Sequence, residues 1–195
     1  MLVTQRDDQK EQRRQLIMMT ALDLFVKKGY SETKISDIAQ AAGMSTGLLF
    51  HYFESKESLY GALIRLGVEG TSAPQQLAGD SFDPVGFFTG FLTSLFDYAR
   101  SQPWVFRMFV LVAQARRSGG TPPEIRELAA SVDQIERSAE VIRLGQSVGV
   151  FREGDPLALS SAFWCSVQGI MEQAAAAPDM PLPDPEWIVD IIRRK

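Results

Sequence analysis

Apolar residues recur at helical spacing in the stretch ISDIAQAAGMSTGLLFHY, which spans residues 35–52. The first half of this stretch has one apolar helix face, made of Ile35, Ile38, Ala39 and Ala42. The pattern stops at Gly43. Glycine readily adopts the positive φ that is common just after the end of a helix, so the first helix is expected to end here. Ser45 can then cap a second helix, on which apolar residues return at spacings of three and four. The stretch therefore predicts two short helices joined by a tight turn, which is typical of a helix-turn-helix.

The rest of the chain also has the pattern of helices. No strand-like alternation persists, and helix-breaking residues fall at helix-sized intervals. Asp83, Asp155 and Asp184 each precede a proline, and this pair suits the N-cap and the first position of a helix. The sequence GTSAPQQLAGDSFDP after residue 69 predicts a domain boundary. Helices are predicted near residues 10–28, 35–42, 46–52, 56–69, 84–101, 103–117, 122–146, 156–177 and 185–194.

The flanks of the turn extend it into a longer motif. Upstream, an apolar helix face ends near Gly29-Tyr30, and downstream Ser55 precedes another helix. The whole stretch, ALDLFVKKGYSETKISDIAQAAGMSTGLLFHYFESKESLYGAL, resembles the DNA-binding domain of the TetR family of bacterial transcriptional regulators. The resemblance covers residues 10–66, and its most specific parts are the runs GYxxTxxxxIAxxAG and SxGxLxxYFxSKExL.

The pattern and the resemblance together imply an all-α fold of about nine helices. A mobile N-terminal arm is expected at residues 1–9. A three-helix domain of helix-turn-helix type is expected at residues 10–69, where its connecting helix leads to a C-terminal helical bundle. By resemblance, the bundle at residues 83–195 would bind a small molecule and form the homodimer.

The resemblance places the recognition helix at residues 45–52, with its N-terminal turn toward the major groove of DNA. Thr46 and His51 can form hydrogen bonds with base edges or phosphates, whereas Leu48 and Phe50 can make only apolar contacts. The residues expected at DNA are Thr33, Lys34, Ser36, Ser45, Thr46, Gly47, Leu48, Phe50, His51, Tyr52 and Lys56.

Several of these residues also have a structural interpretation, which the sequence leaves open. Thr33 and Ser45 can act as helix caps rather than as DNA ligands. Tyr52 can pack against the first helix, although it matches a phosphate-contacting position of the family, as Lys56 does. The side chain at position 50 lacks the hydroxyl that many family members carry nearby, which removes one polar contact.

The composition limits the classes of function. The net charge is −4, and the excess of cations from residue 10 to 56 is slight, so DNA affinity would depend on local placement. A single cysteine, Cys165, excludes an internal disulfide and fits a reducing cytoplasm. With a mean hydropathy of −0.06 and no long apolar run, we expect a cytoplasmic protein without a membrane span.

The C-terminal half is rich in aromatic and methionine side chains, which either fill a core or line an apolar cavity. The predicted pocket consists of Phe87, Phe91, Trp104, Met108, Phe163 and Trp164. The helices at 156–177 and 185–194 have more apolar surface than one bundle face needs, which predicts a two-fold interface. The predicted interface residues are Phe163, Val167, Ile170, Trp187 and Ile191.

An enzyme is not expected. The one histidine, His51, lies on the predicted DNA face, and Cys165 is expected to be buried and inert. No metal-ligand motif, phosphate loop or cofactor motif appears, so no cofactor is predicted. The sequence therefore predicts a transcriptional repressor that leaves a palindromic operator when an apolar or amphipathic effector binds. The alternative is a helical protein-protein adaptor whose helix-turn-helix no longer binds DNA.

Overall fold

The computed structural model describes residues 5–70, 82–131 and 133–194. These residues form helices and no strand, apart from one isolated antiparallel bridge between Phe151 and Arg193. The prediction of an all-α fold is confirmed. The ten helices of the described residues are α1 (Gln5–Glu32), α2 (Ile35–Ala41), α3 (Thr46–Tyr52), α4 (Lys56–Gly70), α5 (Pro84–Ser101), α6 (Trp104–Arg117), α7 (Pro123–Ala130), α8 (Gln134–Ser147), α9 (Pro156–Ala176) and α10 (Pro185–Val189).

Some helix boundaries differ from the prediction. Helix α1 begins at Gln5 rather than near residue 10, so residues 5–9 of the predicted arm are helical, while residues 1–4 lie outside the described residues. The predicted helix at 122–146 is two helices, because the Asp133 side chain accepts a hydrogen bond from the Glu136 amide and starts α8 anew. Residues 71–81 of the predicted linker also lie outside the described residues.

The three Asp-Pro pairs start helices as predicted. Asp83 accepts a hydrogen bond from the Val85 amide at 3.0 Å, and Asp155 and Asp184 cap α9 and α10 in the same way. Each following proline occupies the first turn of its helix, where its missing N–H costs no intrahelical bond. These local signals therefore define the starts of α5, α9 and α10.

The chain forms two compact units, and each unit draws on two separate stretches of sequence. Unit 1 is Met1–Thr71 with Val110–Ser131, and unit 2 is Ser72–Phe109 with Val132–Lys195. A single boundary near residue 70 therefore describes only the first passage of the chain from one unit to the other. None of the described helices is both long enough and apolar enough to span a membrane.

In unit 1, helices α1 to α4 pack together and α7 covers α4. The core includes Phe25 and Tyr60, whose ring centroids lie 4.8 Å apart. Ile125 of α7 is buried and lies close to Gly61 of α4, where an added Cβ would be 3.7 Å from its side chain. The amide of Gln114 donates to the carbonyl of Val26, so the returning stretch also holds α1.

In unit 2, helices α5, α8, α9 and α10 surround one apolar core. Phe88 is almost fully buried in this core, and its ring centroid lies 4.8 Å from that of Phe163 and 5.8 Å from that of Phe151. Gly145 of α8 lies against the ring of Phe151, which any added Cβ would overlap. The core of unit 2 therefore depends on a position where only glycine fits.

Candidate nucleic-acid interface

The turn between α2 and α3 has the geometry that the sequence predicts. Gly43 has φ of 67°, and its amide donates to the carbonyl of Gln40 at 3.1 Å. The next amide, that of Met44, donates to the carbonyl of Ala39 at 2.9 Å. These bonds satisfy the last carbonyls of α2, and the left-handed backbone at glycine turns the chain toward α3. Ala39 is buried, and the small side chain suits the close approach of the two helices.

Helix α3 has one buried face and one solvent face. Ser45 caps the helix by accepting a hydrogen bond from the Leu48 amide at 3.2 Å. Leu49 is fully buried and anchors α3 to the rest of unit 1. The exposed residues of the predicted recognition helix are Ser45, Thr46, Gly47, Phe50 and His51. The half-buried ones are Leu48 and Tyr52. The helix thus presents to solvent a short row of side chains that a DNA groove can reach.

Thr33 is a structural residue rather than a DNA ligand. Its side chain is completely buried, and its hydroxyl donates to the carbonyl of Gly29 at 2.7 Å. Gly29 has φ of 80°, so α1 ends its regular helix there and Thr33 satisfies a carbonyl at the kink. The buried Thr33 side chain therefore does not reach DNA. Nor does it cap α2, whose N-cap residue is Lys34 and has no side-chain cap hydrogen bond, because the Thr33 hydroxyl bonds to carbonyls of α1 instead.

Lys56, at the start of α4, holds the end of α1. Its ammonium group donates to the carbonyls of Tyr30 at 2.8 Å and Thr33 at 3.0 Å, and lies 4.2 Å from the ring centroid of Tyr30. Two of its three N–H groups are thus used inside the protein, which leaves one for a phosphate. Lys56 therefore joins α1 to α4, whatever contact it makes with DNA.

The other flank of α3 is formed by the start of α2. Lys34 and Ser36 are exposed there, as expected of phosphate contacts. Beside them, Lys28 of α1 forms a salt bridge with Asp37 at 3.0 Å. The hydrogen bond from Lys28, together with its charge, lowers the pKa of Asp37 below its usual value. Asp37 is therefore paired next to the predicted phosphate-binding surface, and its charge is partly offset.

Arg14 of α1 contacts the end of α3, which the sequence does not predict. Its guanidinium carbon lies 5.0 Å from the ring centroid of Phe53, the residue that ends α3. Its Nη1 also lies 3.6 Å from the sulfur of Met18. Arg14 and Phe53 are 39 positions apart in the chain, so no local sequence signal indicates the contact. It brings a cation from α1 to the end of the recognition helix.

Comparison with known proteins agrees with this geometry. The family described as bacterial regulatory proteins, tetR family, matches residues 17–63. The HTH-type transcriptional regulator RutR of Escherichia coli K12 is 29% identical over 158 residues, or 80% of this chain and 72% of RutR. The HTH-type transcriptional repressor KstR2 of Rhodococcus jostii RHA1 is 41% identical over 56 residues, or 29% of this chain and 28% of KstR2. The crystal structure of PfmR, a TetR family transcriptional regulator from Thermus thermophilus, has a TM-score of 0.67 and 27% sequence identity, and the match covers 89% of this chain and 93% of PfmR.

The chain belongs to the TetR family. As a TetR-family protein it is a DNA-binding regulator of transcription, which the sequence predicts from the same residues. The matched residues 17–63 run from the buried part of α1 into α4, so the family match contains the whole helix-turn-helix.

The predicted effector pocket of this TetR-family protein coincides largely with the aromatic core of unit 2. Phe163 and Met108 are buried, whereas the other predicted members are half-buried: Phe87, Phe91, Trp104 and Trp164. The Trp164 indole N–H donates to the hydroxyl of Ser138 at 2.8 Å, and its ring lies 5.4 Å from that of Phe91. A cleft of about 300 Å³ occurs elsewhere in unit 2, between α9 and residues 180–183, and none of the six residues lines it.

The predicted dimer interface needs correction at two positions. Phe163 and Val167 are completely buried in the core of a single chain, so neither side chain can meet a partner, and their assignment to the interface is wrong. Ile170 and Ile191 are half-buried against the same core. Trp187 is 68% exposed and remains available. The exposed residues on the outer face of α9 are instead Ala158, Ala162, Cys165, Gly169 and Gln173.

Cys165 also differs from expectation, because it is exposed rather than buried. The face of α9 on which it lies turns away from the core of its own unit. Among the described residues, no group of three or more His, Cys, Asp or Glu side chains could hold a metal ion.

Proposed function

We propose that this TetR-family protein is a homodimeric repressor that binds a palindromic operator and releases it when an apolar or amphipathic effector binds unit 2. The exposed face of α3 is the observation that carries the proposal. Leu49 anchors the helix through its buried side chain, while Thr46 and Gly47 face solvent in the first turn and His51 faces solvent in the last turn. A helix held in this way suits the major groove, whose width admits one helix.

The side chains of α3 suggest a division of roles at the operator. Thr46 and His51 can form hydrogen bonds with base edges or phosphates. Phe50, which is 49% exposed, can reach the methyl group of a thymine. Lys34 and Ser36 would bind phosphates from the start of α2. The name of KstR2, a transcriptional repressor, supports repression as the direction of control.

We assign the dimer interface to the outer faces of α8 and α9. The exposed residues of α9 are mostly small, which permits a close approach of two helices. On the neighbouring α8, Leu144 is 39% exposed, and Val148, just after its end, is 60% exposed. A two-fold axis that pairs this face with its own copy would bury these apolar side chains.

We place the effector among the half-buried aromatic residues of unit 2. Phe87, Phe91 and Trp104 pack on the core without being enclosed by it, so an apolar ligand could displace them at modest cost. Gln168 would contribute little to recognition, because its amide already donates to Glu172 and to the carbonyl of Phe109. The ligand would therefore be recognised mainly by its apolar surface.

Selection of bound fragments from the source genome tests the proposal. The purified protein should retain fragments that share a pseudo-palindrome, with half-sites about 10 base pairs apart or a multiple of that. Binding should weaken steeply with salt, since phosphate contacts release counterions. Retention of no fragment at low salt would contradict the proposal and favour the adaptor alternative.

A further inference from the structure

The first turns of α1 extend beyond the core of unit 1. Every residue from Asp7 to Leu16 is exposed except Arg14, whereas the next residue, Ile17, is completely buried. A helical segment without a buried face gains little stability from packing.

One side of this segment is basic. Lys10, Arg13 and Arg14 precede Ile17 by seven, four and three residues, so they lie on the same side of the helix as that buried residue. With 3.6 residues per turn, the three cations fall within an arc of about 100°. Asp8 lies on the opposite side, whereas Asp7 and Glu11 flank the Arg14 edge of this arc, about 20° and 60° beyond Arg14. The three cations thus lie on the face of α1 that becomes buried from Ile17 onward. We call Lys10, Arg13 and Arg14 the α1 basic stripe.

The stripe begins beside the recognition helix. Arg14 covers Phe53, which ends α3, with 5.0 Å between its guanidinium carbon and the ring centroid. Lys10 lies four residues, or about 6 Å, further along α1. The major groove is about 12 Å wide. A cation about 6 Å from the end of a helix that lies in the groove can therefore reach the phosphates at its edge. Among the described residues, neither Lys10 nor Arg13 forms a salt bridge within the protein.

We propose that Lys10 and Arg13 bind DNA phosphates at the edge of the groove that α3 occupies, and that Arg14 is a positioning residue that holds α1 against the end of α3. This inference rests on the proposed function, because it requires α3 to lie in the groove. Phosphate contacts fix the orientation of a protein on the duplex and supply affinity without reading the sequence. The α1 basic stripe therefore strengthens binding to every sequence alike.

The double variant Lys10→Gln/Arg13→Gln tests the assignment, since glutamine preserves helix propensity and removes both charges. The probes are a fluorescent random-sequence duplex of about 30 base pairs, long enough for two half-sites, and one fragment from the genomic selection. The proposed dimer would lose two phosphate contacts in each protomer, or four in all. Each contributes about 0.9 to the slope of log affinity against log salt, so this slope should fall in magnitude by about 3.6. The ratio of the two affinities should not change.

Two comparisons make the outcome decisive. The variant Arg117→Gln/Arg137→Gln removes the same charge at exposed positions outside α1 and should keep the wild-type slope. The variant Lys10→Arg/Arg13→Lys keeps both charges and should also keep it. A slope that is unchanged in Lys10→Gln/Arg13→Gln, or lowered equally in the control, overturns the inference while leaving the proposed function intact. A wild-type protein without salt-dependent DNA binding overturns the proposed function instead.

Discussion

At the scale of single residues, polar side chains of similar appearance in the sequence have different roles in the structure. Thr33 and Thr46 both stand near a helix start, but the first is buried against the end of α1 and the second faces solvent. Lys34 and Lys56 differ in the same way, because only Lys56 among the two donates to carbonyls of the protein. The sequence motif predicts the region of DNA contact, whereas burial separates the side chains that can reach DNA from those that support the fold.

Thr46 and Lys34 should contribute differently to DNA binding. Replacing Lys34 by Ala should remove the proposed phosphate contact from each protomer of the dimer, so affinity for all sequences should fall alike and the magnitude of the salt slope should decrease by about 2. Replacing Thr46 by Ala should instead change the preferred operator bases, by about 1–3 kcal/mol at the affected position. Competition binding with a library of operator variants measures both effects. A uniform loss in Thr46→Ala would contradict its role as a base contact.

Lys56 should matter for stability as well as for DNA binding. Replacing it by Ala leaves the carbonyls of Tyr30 and Thr33 without their charged donor, which should cost about 2 kcal/mol and lower the Tm by several degrees. Thermal unfolding followed by circular dichroism measures the change, with Lys34→Ala as an exposed control that should remain close to the wild type. An unchanged Tm in Lys56→Ala, together with a lower salt slope, would show that phosphate binding is its main role.

At the scale of helices, local signals are predictable from the sequence and tertiary contacts are not. The Asp-Pro helix starts and the Gly43 turn follow from backbone preferences of a few adjacent residues, and the structure contains them where expected. The faces of α9 are harder to assign, because apolar residues cover more than half of its circumference. The sequence pattern predicts that Phe163 and Val167 contact a partner, but both are buried in the core of unit 2. The contact of Arg14 with Phe53 joins distant parts of the chain and has no local signal at all.

Gly145 of α8 provides a test of core packing in unit 2. In Gly145→Ala the new Cβ would overlap the buried ring of Phe151, so overpacking should destabilise the protein by about 1–3 kcal/mol. Gly90→Ala in α5 is the matched control, because nothing lies within 4 Å of the new Cβ. There the better helix propensity of alanine should stabilise by up to about 1 kcal/mol. Denaturant unfolding compares the two; equal effects would mean that the Phe151 ring moves aside freely.

At the scale of the whole molecule, the proposed dimer gives a prediction with an internal contrast. Ala162→Glu places a charge on the exposed face of α9 and should yield folded monomers that bind the operator weakly. Val167→Glu buries the charge in the core and should unfold unit 2 instead. Light scattering reports the mass and circular dichroism reports the fold. A monomeric wild type at micromolar concentration, or a dimeric Ala162→Glu, would contradict the assigned interface.

The origin of unit 1 in two stretches of sequence has a consequence for synthesis on the ribosome. Helix α7, which covers α4, and Gln114, which bonds to α1, are translated long after the helix-turn-helix itself. The nascent DNA-binding unit therefore stays incomplete until residue 131 has left the exit tunnel, and the first stretch of unit 2 emerges in the interval. A gene truncated at residue 70 would therefore encode α1 to α4 alone, and the surface of α4 that packs against α7 would be exposed.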